Sequence, residues 1–126
     1  MSENKLIIKR GEIWLIKFKK RDSMGTEIYK TRPAAIFSTQ FYNEESKRVI
    51  ALPLTTTIQP LYKWEIPVMI NNRQGKIMVD QIRSFDKEKR LVKKLGELTP
   101  EILEKAEQIL SKLVELKYLG KSKSKN

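Results

Sequence analysis

The sequence predicts a mainly β domain, a small barrel or strongly bent sheet, followed by one C-terminal α-helix. Three observations indicate this class. The 126 residues suffice for one ordinary domain with one core. Several short runs rich in β-branched and aromatic residues are separated by turn-forming stretches. Near residue 99 the apolar residues change from this pattern to helical spacing.

Five runs carry the β signal, and a sixth, Leu91 to Leu98, is weaker. The fourth run alternates apolar and polar residues, and Pro67 within it favours an edge strand. The segments Asp22 to Gly25 and Asn71 to Gly75 are rich in turn-forming residues, so we expect both to connect strands. The five runs are Glu12 to Phe18, Pro33 to Ser38, Arg48 to Leu54, Trp64 to Ile70 and Lys76 to Ile82.

The segment from residue 99 onward predicts one amphipathic helix. Thr99 suits the N-cap, Pro100 the first helical position, and Glu101 the positive end of the helix dipole. Apolar residues then recur at helical spacing, and the helix is expected to end before Gly120. The polar, basic residues 121–126 are expected to be a disordered tail, so residues 1–120 form the single predicted domain.

The charge of the chain is large, positive and unevenly placed. There are 26 Lys and Arg against 15 Asp and Glu, a formal net charge of +11. Residues 1–98 carry a net charge of +9, whereas residues 99–119 carry −1. The β portion is therefore predicted to bind a polyanion. The nearly neutral helix fits neither a basic membrane-surface helix nor a DNA recognition helix.

The residue types that the chain lacks narrow its chemistry. It has no cysteine, which excludes disulfides and thiolate catalysis, and no histidine, the commonest general base and metal ligand. No phosphate-binding glycine loop and no cluster with metal-ligand spacing is present, so no cofactor or metal is expected. No apolar run approaches the ~20 residues that span a bilayer, and no signal peptide is recognisable. We expect a soluble cytoplasmic protein.

Three polar segments at the predicted strands could carry chemistry. Arg32, at a loop-to-strand junction, could grip a phosphate with two hydrogen bonds or be an ordinary surface arginine. Thr55 begins a run of three hydroxyls at a strand end, where it could donate to a phosphate or simply favour β structure. Asp80 and Gln81, close to Arg83, could orient groups in a site or form a structural salt bridge. None of these segments is decisive alone.

Taken in order, the motifs resemble the MazF/PemK (Kid-like) family of toxin endoribonucleases from type II toxin–antitoxin systems. The resemblance spans roughly residues 9 to 119 and depends on the order of its pieces, since each piece is short. The matching segments are Arg10-Gly11-Glu12-Ile13-Trp14, Gly25-Thr26-Glu27, Lys30-Thr31-Arg32-Pro33-Ala34, Asn43, Leu52-Pro53-Leu54-Thr55, Asp80-Gln81-Ile82-Arg83-Ser84-Phe85-Asp86-Lys87 and Gly96-Glu97-Leu98.

This resemblance implies an SH3-like small β-barrel with a C-terminal helix, the fold of MazF, PemK and CcdB, assembled as a homodimer. Family members cut single-stranded RNA, usually at short sequence motifs, without a metal. They use the 2′-OH of the substrate as nucleophile and leave 2′,3′-cyclic phosphate and 5′-OH ends. They are neutralised by an antitoxin whose acidic C-terminal segment lies across the groove, so RNA and an antitoxin are the implied partners.

The resemblance also assigns roles to residues, carried over motif by motif. Arg32 and Thr55 match the catalytic pair. Glu27 and Asp80 are the candidates for acid and base, because the histidine that some members use has no counterpart here. Arg32 keeps its charge and therefore suits transition-state stabilisation better than proton transfer. RNA contacts are expected from Lys30, Thr56, Gln81 and Arg83.

Other functions remain open at this stage. A non-catalytic barrel that binds RNA or DNA would use the same positive charge. A CcdB-like gyrase poison would share the fold. A structural or interaction domain with decayed activity would keep both the fold and the charge. The arginine–proline motif together with the strand-end threonine favours the ribonuclease. We expect sequence specificity to lie in two loops, Lys19 to Tyr29 and Gln59 to Lys63.

Overall fold

The computed structural model describes residues 6–21 and 23–117, which form a mainly β fold with a C-terminal helix, as predicted. The strands are β1 (Glu12–Arg21), β2 (Glu27–Ile36), β3 (Arg48–Thr55), β4 (Glu65–Ile70), β5 (Arg73–Met78), β6 (Arg83–Asp86) and β7 (Leu91–Glu97). The helices are α1 (Gln40–Glu45), α2 (Lys87–Arg90) and α3 (Pro100–Val114), with a 3-10 turn at Val79–Gln81.

The strands form one antiparallel sheet in the order β4-β5-β3-β2-β1-β7, and β6 pairs with β3 beside this path. β3 joins the parts of the sheet, because its first residues pair with β6 and its last two pair with β5. Among the described strands, β4 and β7 end the order without pairing to each other, so the barrel predicted from the sequence is not closed. Pro67 lies in β4, and its missing amide proton suits an edge strand, as predicted.

The first hairpin is longer than the sequence predicts. Residues 19–29 were expected to be a loop, but β1 and β2 pair continuously out to Arg21 opposite Glu27. The described side chains of this outer part are exposed, so it lacks the apolar alternation by which half-buried strands are predicted. In the second hairpin the turn consists of Asn71 and Asn72, with φ of 49° and 66°, and Gly75 belongs to β5.

The predicted strand from Lys76 to Ile82 is wrong in its second half. β5 ends at Met78, and the 3-10 turn follows before β6 begins. The turn points Val79 into the core, where it is fully buried. Helix α1 was not predicted, because six residues are too few for a periodic signal. It is held by Asn43, whose amide donates to the Ser38 carbonyl at 3.1 Å.

Helix α3 begins as predicted and ends early. Thr99 is its N-cap, with Oγ1 accepting from the Ile102 amide at 3.3 Å, and Pro100 is its first residue. The helix stops at Val114 because Glu115 adopts the left-handed conformation, φ 53°, that closes helices. The predicted end near Gly120 and the predicted tail at 121–126 lie outside the described residues. None of the helices described within residues 6–117 has the length and apolar content needed to cross a membrane.

Two clusters of buried side chains use alternate residues of β1, β2 and β3. The first cluster lies between the sheet and α3, and Ala106 of α3 is buried in it. The second cluster lies on the other side of these strands. The first consists of Ile13, Ala35, Leu52, Leu54, Ile66, Ile70, Ile77, Val79 and Ala106. The second consists of Ile8, Trp14, Ile16, Ala34, Ile36, Val49, Ala51 and Phe85.

Arg10, from the first sequence motif, fastens α3 to the sheet. Its Nη2 atom lies 2.6 Å from Glu107 Oε2 on the helix, and its Nε donates to the Phe37 carbonyl at 2.9 Å. Its guanidinium also lies 4.9 Å from the centre of the Phe37 ring. This motif residue therefore has a structural role, and the candidate site lies elsewhere.

Candidate active site on one face of the sheet

Arg32 lies on β2, opposite Ile16 of β1. Directly opposed residues of antiparallel strands share a face, so Arg32 projects on the side of Ile16 and Ala34. Both of those residues are fully buried in the second cluster, whereas Arg32 is exposed. We name this side of the sheet the arginine face, defined by Arg32 and Arg83, and the other side, packed by α3, the helix face.

Thr55 shares the arginine face with Arg32. β2 and β3 pair from Ile36 opposite Ala51 to Ala34 opposite Pro53. Arg32 is two residues from Ala34 along β2, and Thr55 is two residues from Pro53 along β3, so both side chains project on the face of that pair. Strand alternation thus places the two residues selected by motif on one face of the sheet.

The Thr55 hydroxyl is held by its own turn. Its Oγ1 accepts a hydrogen bond from the Thr57 amide at 3.1 Å. That bond uses a lone pair of Oγ1 and not its proton, so the hydroxyl can still donate to a phosphate oxygen. Thr56, between them, is exposed just beyond the end of β3 and is available to a bound chain.

Arg83 stands on β6 opposite Ala51, which places it on the arginine face as well. Its guanidinium lies 5.2 Å from the centre of the Phe18 ring and 4.9 Å from that of Phe85. The two rings contact each other edge to face, with centres 4.9 Å apart. These contacts fix the position of an exposed cation beside the second cluster.

Lys30 belongs to the same face and has a close cationic neighbour in Lys20. Contact with the Lys20 ammonium, and then the charges of Lys20 and Arg32, lower the pKa of Lys30 below its ordinary value. Like charges gathered in this way favour an anionic ligand, which would relieve their repulsion. The sequence reasoning missed Lys20 and Phe18. Both alternate with Ile16 along β1, a signal that could be read only after the long hairpin was known.

The two acid–base candidates are placed differently. Glu27 lies opposite Arg21, at an odd-numbered position of β2, so it projects on the side away from Arg32. Its Oε1 lies 3.6 Å from the Lys19 ammonium. Asp80 is exposed on the 3-10 turn together with Gln81, while Val79 and Ile82 on either side pack into the first cluster. The exposed side chains of Asp80 and Gln81 therefore point away from the first cluster.

A buried ion pair lies beside Thr55. Lys76 of β5 is opposite Thr55, and its Nζ lies 2.8 Å from Glu65 Oε1. The side chains are only 6% and 5% exposed, which makes this pair unusual in so charged a protein. Burial raises the pKa of Glu65, but the Lys76 ammonium and the Tyr62 amide outweigh it and hold the pKa below its usual value. Within the described part of the chain, no three His, Cys, Asp or Glu side chains gather as a metal site would require.

The comparisons with known proteins agree on the fold. An endoribonuclease in complex with its cognate antitoxin from a Mycobacterial species is 24% identical, with a TM-score of 0.70 over 89% of this chain and 99% of that one. MazF from Deinococcus radiodurans is 22% identical, with a TM-score of 0.70 over 89% and 100%. A MazE–MazF structure from the same organism is 22% identical, with a TM-score of 0.69 over 90% and 100%.

No curated protein sequence is similar enough to count as a match. The sequence profile of one protein family, however, matches residues 9–114, which contain every strand and helix described above. The match includes Arg32, Thr55, Asp80 and Arg83, the residues that define or adjoin the arginine face. The chain therefore belongs to the family of PemK-like, MazF-like toxins of type II toxin–antitoxin systems.

Proposed function

We propose that this chain is a sequence-specific, metal-independent endoribonuclease that cleaves single-stranded RNA. The observation that carries this proposal is that Arg32 and Thr55 project on the same cationic face, each two residues beyond the Ala34–Pro53 pair of β2 and β3. Family membership supports it, as does the fold shared with proteins named endoribonuclease and MazF. The cations Lys20, Lys30 and Arg83 around the pair would hold the RNA backbone.

The proposed reaction is an internal transesterification. The 2′-oxygen of one nucleotide attacks the adjacent phosphorus, and the bond from phosphorus to the 5′-oxygen of the next nucleotide breaks. The products are a 2′,3′-cyclic phosphate and a 5′-OH. The 2′-OH proton leaves to a base, and the leaving 5′-oxygen receives one. The protein has to splay the strand and align the hydroxyl with the scissile bond, which requires neither a protein nucleophile nor a metal.

Arg32 would stabilise the charge that develops on the non-bridging phosphate oxygens, using two parallel N–H donors. Thr55 would donate its hydroxyl proton to the same phosphate. Of the two carboxylates suggested by the sequence, Asp80 is the better placed proton acceptor, since Glu27 projects on the other side of β2 and lies near Lys19. Two variants test this choice. We expect Asp80→Asn to cleave RNA more slowly than wild type, and Glu27→Gln to cleave nearly as well as wild type.

The same face would bind the antitoxin. Two of the three similar structures named above are complexes, one of an endoribonuclease with its cognate antitoxin and one of MazE with MazF. A disordered acidic C-terminal segment would be attracted to the cations of the arginine face and would compete with RNA. We further propose that the chain acts as a homodimer in the cytoplasm.

The test is digestion of a long single-stranded RNA in EDTA, followed by sequencing of the cut sites and analysis of the ends. We expect cuts at a short motif, cyclic phosphate on one product and 5′-OH on the other. Binding without cleavage would favour a non-catalytic nucleic-acid-binding protein. Gyrase–DNA cleavage complexes without RNA cleavage would favour a CcdB-like poison. Either result contradicts the proposal.

A further inference from the structure

The buried ion pair of Glu65 and Lys76 has no part in the proposed reaction, although it lies beside Thr55. Lys76 is the one buried lysine among the described residues. Replacing a buried ion pair by uncharged side chains of similar size is often neutral or even stabilising. Stability of the fold therefore does not by itself explain why two charges occupy this place.

Lys76 connects the strand beside Thr55 to the loop that follows Thr55. Its backbone is opposite Thr55 on one side and opposite Pro67 on the other. Its ammonium donates to the Pro60 carbonyl at 2.6 Å and lies 2.8 Å from Glu65 Oε1. Since Pro60 belongs to the loop that leaves Thr55, Lys76 fastens that loop to β5.

Glu65 holds the far end of the same loop. Its Oε1 accepts from the Tyr62 amide at 3.0 Å, and its own amide donates to the Tyr62 carbonyl at 3.0 Å. Tyr62 stacks on Trp64, with parallel rings whose centres are 5.1 Å apart. The Lys76 ammonium lies 5.8 Å from the centre of the Tyr62 ring. Both ends of the loop of residues 56–64 are therefore attached to one ion pair.

The direction of the Thr55 hydroxyl depends on the first residues of this loop. Thr55 Oγ1 accepts from the Thr57 amide at 3.1 Å, so the position of Thr57 orients the hydroxyl. Thr56 and Thr57 are both exposed, and core packing therefore does not hold them. The next fixed point along the chain is the Pro60 carbonyl, which is bound by Lys76.

We propose that Glu65 and Lys76 are positioning residues, which hold the turn after Thr55 so that the Thr55 hydroxyl points at the scissile phosphate. This inference rests on the proposed function, because it assigns the hydroxyl a phosphate to bind. Neither residue would contact RNA, since both side chains are buried and neutralise each other. Their loss should therefore lower kcat and leave KM unchanged.

The test is a double variant, Glu65→Gln with Lys76→Met, which removes both charges at nearly constant volume and is expected to fold. Its kcat and KM are measured in EDTA on a short single-stranded RNA that contains a mapped cut site. We expect kcat to fall about tenfold at the wild-type KM, because a misaligned donor weakens transition-state binding while the exposed cations still hold the RNA. A wild-type kcat in this variant would overturn the proposal.

Glu65→Asp gives the same test if the double variant does not fold. The charge is kept, but the shorter side chain cannot reach both Lys76 and the Tyr62 amide, so kcat should again fall at constant KM. A folded Glu65→Asp protein with the wild-type kcat would count against the proposal in the same way.

The matched control is Arg10→Met with Glu107→Gln, which removes an ion pair of 2.6 Å that fastens α3 and does not contact the loop after Thr55. Its melting temperature should fall while its kcat stays at the wild-type value. An equal loss of kcat in the two double variants would attribute the effect to general destabilisation and reject the positioning role.

The amide chemical shifts of Thr55 and Thr57, recorded without RNA, separate this inference from the proposed function. We expect them to change in the Glu65→Gln, Lys76→Met protein and not in the control. That result, with a wild type that cuts no RNA, would keep the ion pair as the support of the turn and reject the nuclease. Unchanged shifts, with a wild type that cuts RNA, would reject the positioning role alone.

Discussion

The two faces of the sheet differ in the residues that cover their apolar side chains. On the helix face, the apolar side chains of β1, β2 and β3 pack against those of β4, β5 and α3, which cover the first cluster. On the arginine face, charged side chains adjoin the apolar ones: Arg32 is opposite Ile16, and the Arg83 guanidinium lies over the Phe85 ring. Changes on the helix face should therefore affect stability, and changes on the arginine face should affect activity.

The sharpest test of this difference is Arg32→Ala. Removing one preorganised donor to a developing charge typically slows a reaction about 10²–10³-fold. Arg32 is exposed, so the melting temperature should hardly change. Initial rates of RNA cleavage in EDTA measure the activity, and melting followed by circular dichroism measures the stability. The control is Arg73→Ala, which should cut RNA at the wild-type rate. Arg73 is an exposed residue of β5, and its side chain projects on the helix face. Equal rates for the two variants would remove Arg32 from the mechanism.

Glu65→Gln tests whether a buried ion pair on the arginine face stabilises the fold. The change leaves the Lys76 ammonium buried without its carboxylate, which should cost about 3 kcal/mol of unfolding free energy in urea titrations. Because the folded pKa of Glu65 is depressed, its contribution is full above the unfolded value of about 4.3 and is lost as pH falls through the folded pKa. Wild type should therefore lose more stability on acidification than Glu65→Gln. A parallel acid dependence in both proteins would contradict this account.

Gly75→Ala is expected to affect both stability and RNA cleavage. A Cβ atom at Gly75 would lie 2.7 Å from the Thr55 carbonyl oxygen and 2.8 Å from Ile70 Cδ1, so the end of β3 must shift. We expect a loss of about 1–3 kcal/mol in stability, together with cleavage slowed about tenfold by the displaced Thr55. Gly96→Ala is the matched control, because its Cβ would meet nothing within 4 Å. If Gly75→Ala lost stability but cut RNA as wild type does, the Thr55 backbone would not need its present position.

The smallest expected effect belongs to the helix face. Thr99→Ala removes the N-cap of α3 and should cost about 1 kcal/mol of unfolding free energy. Cleavage per folded molecule at 25 °C should stay unchanged, since α3 packs on the side away from Arg32. A clear fall in cleavage would show that α3 supports the active site and that the faces are not independent.

Local signals in the sequence predicted much of the fold. Thr99 and Pro100 marked the start of the helix, and Pro67 marked an edge strand, because caps and prolines act through their own backbone groups. The outer part of the first hairpin was missed, since strand pairing there is made by exposed polar residues such as Lys19 and Tyr29. The turn at Val79 was missed for a similar reason: its burial depends on residues far away in the chain.

By itself, the sequence determined the composition, the charge and the motif order, and with them the family and the choice of Arg32 and Thr55. These are properties of residue identity and local spacing. Only the tertiary structure decided which of these side chains share a face, because a strand's partner and register depend on distant residues. It placed Arg32 and Thr55 on one face of the sheet and turned Glu27 to the other side of β2.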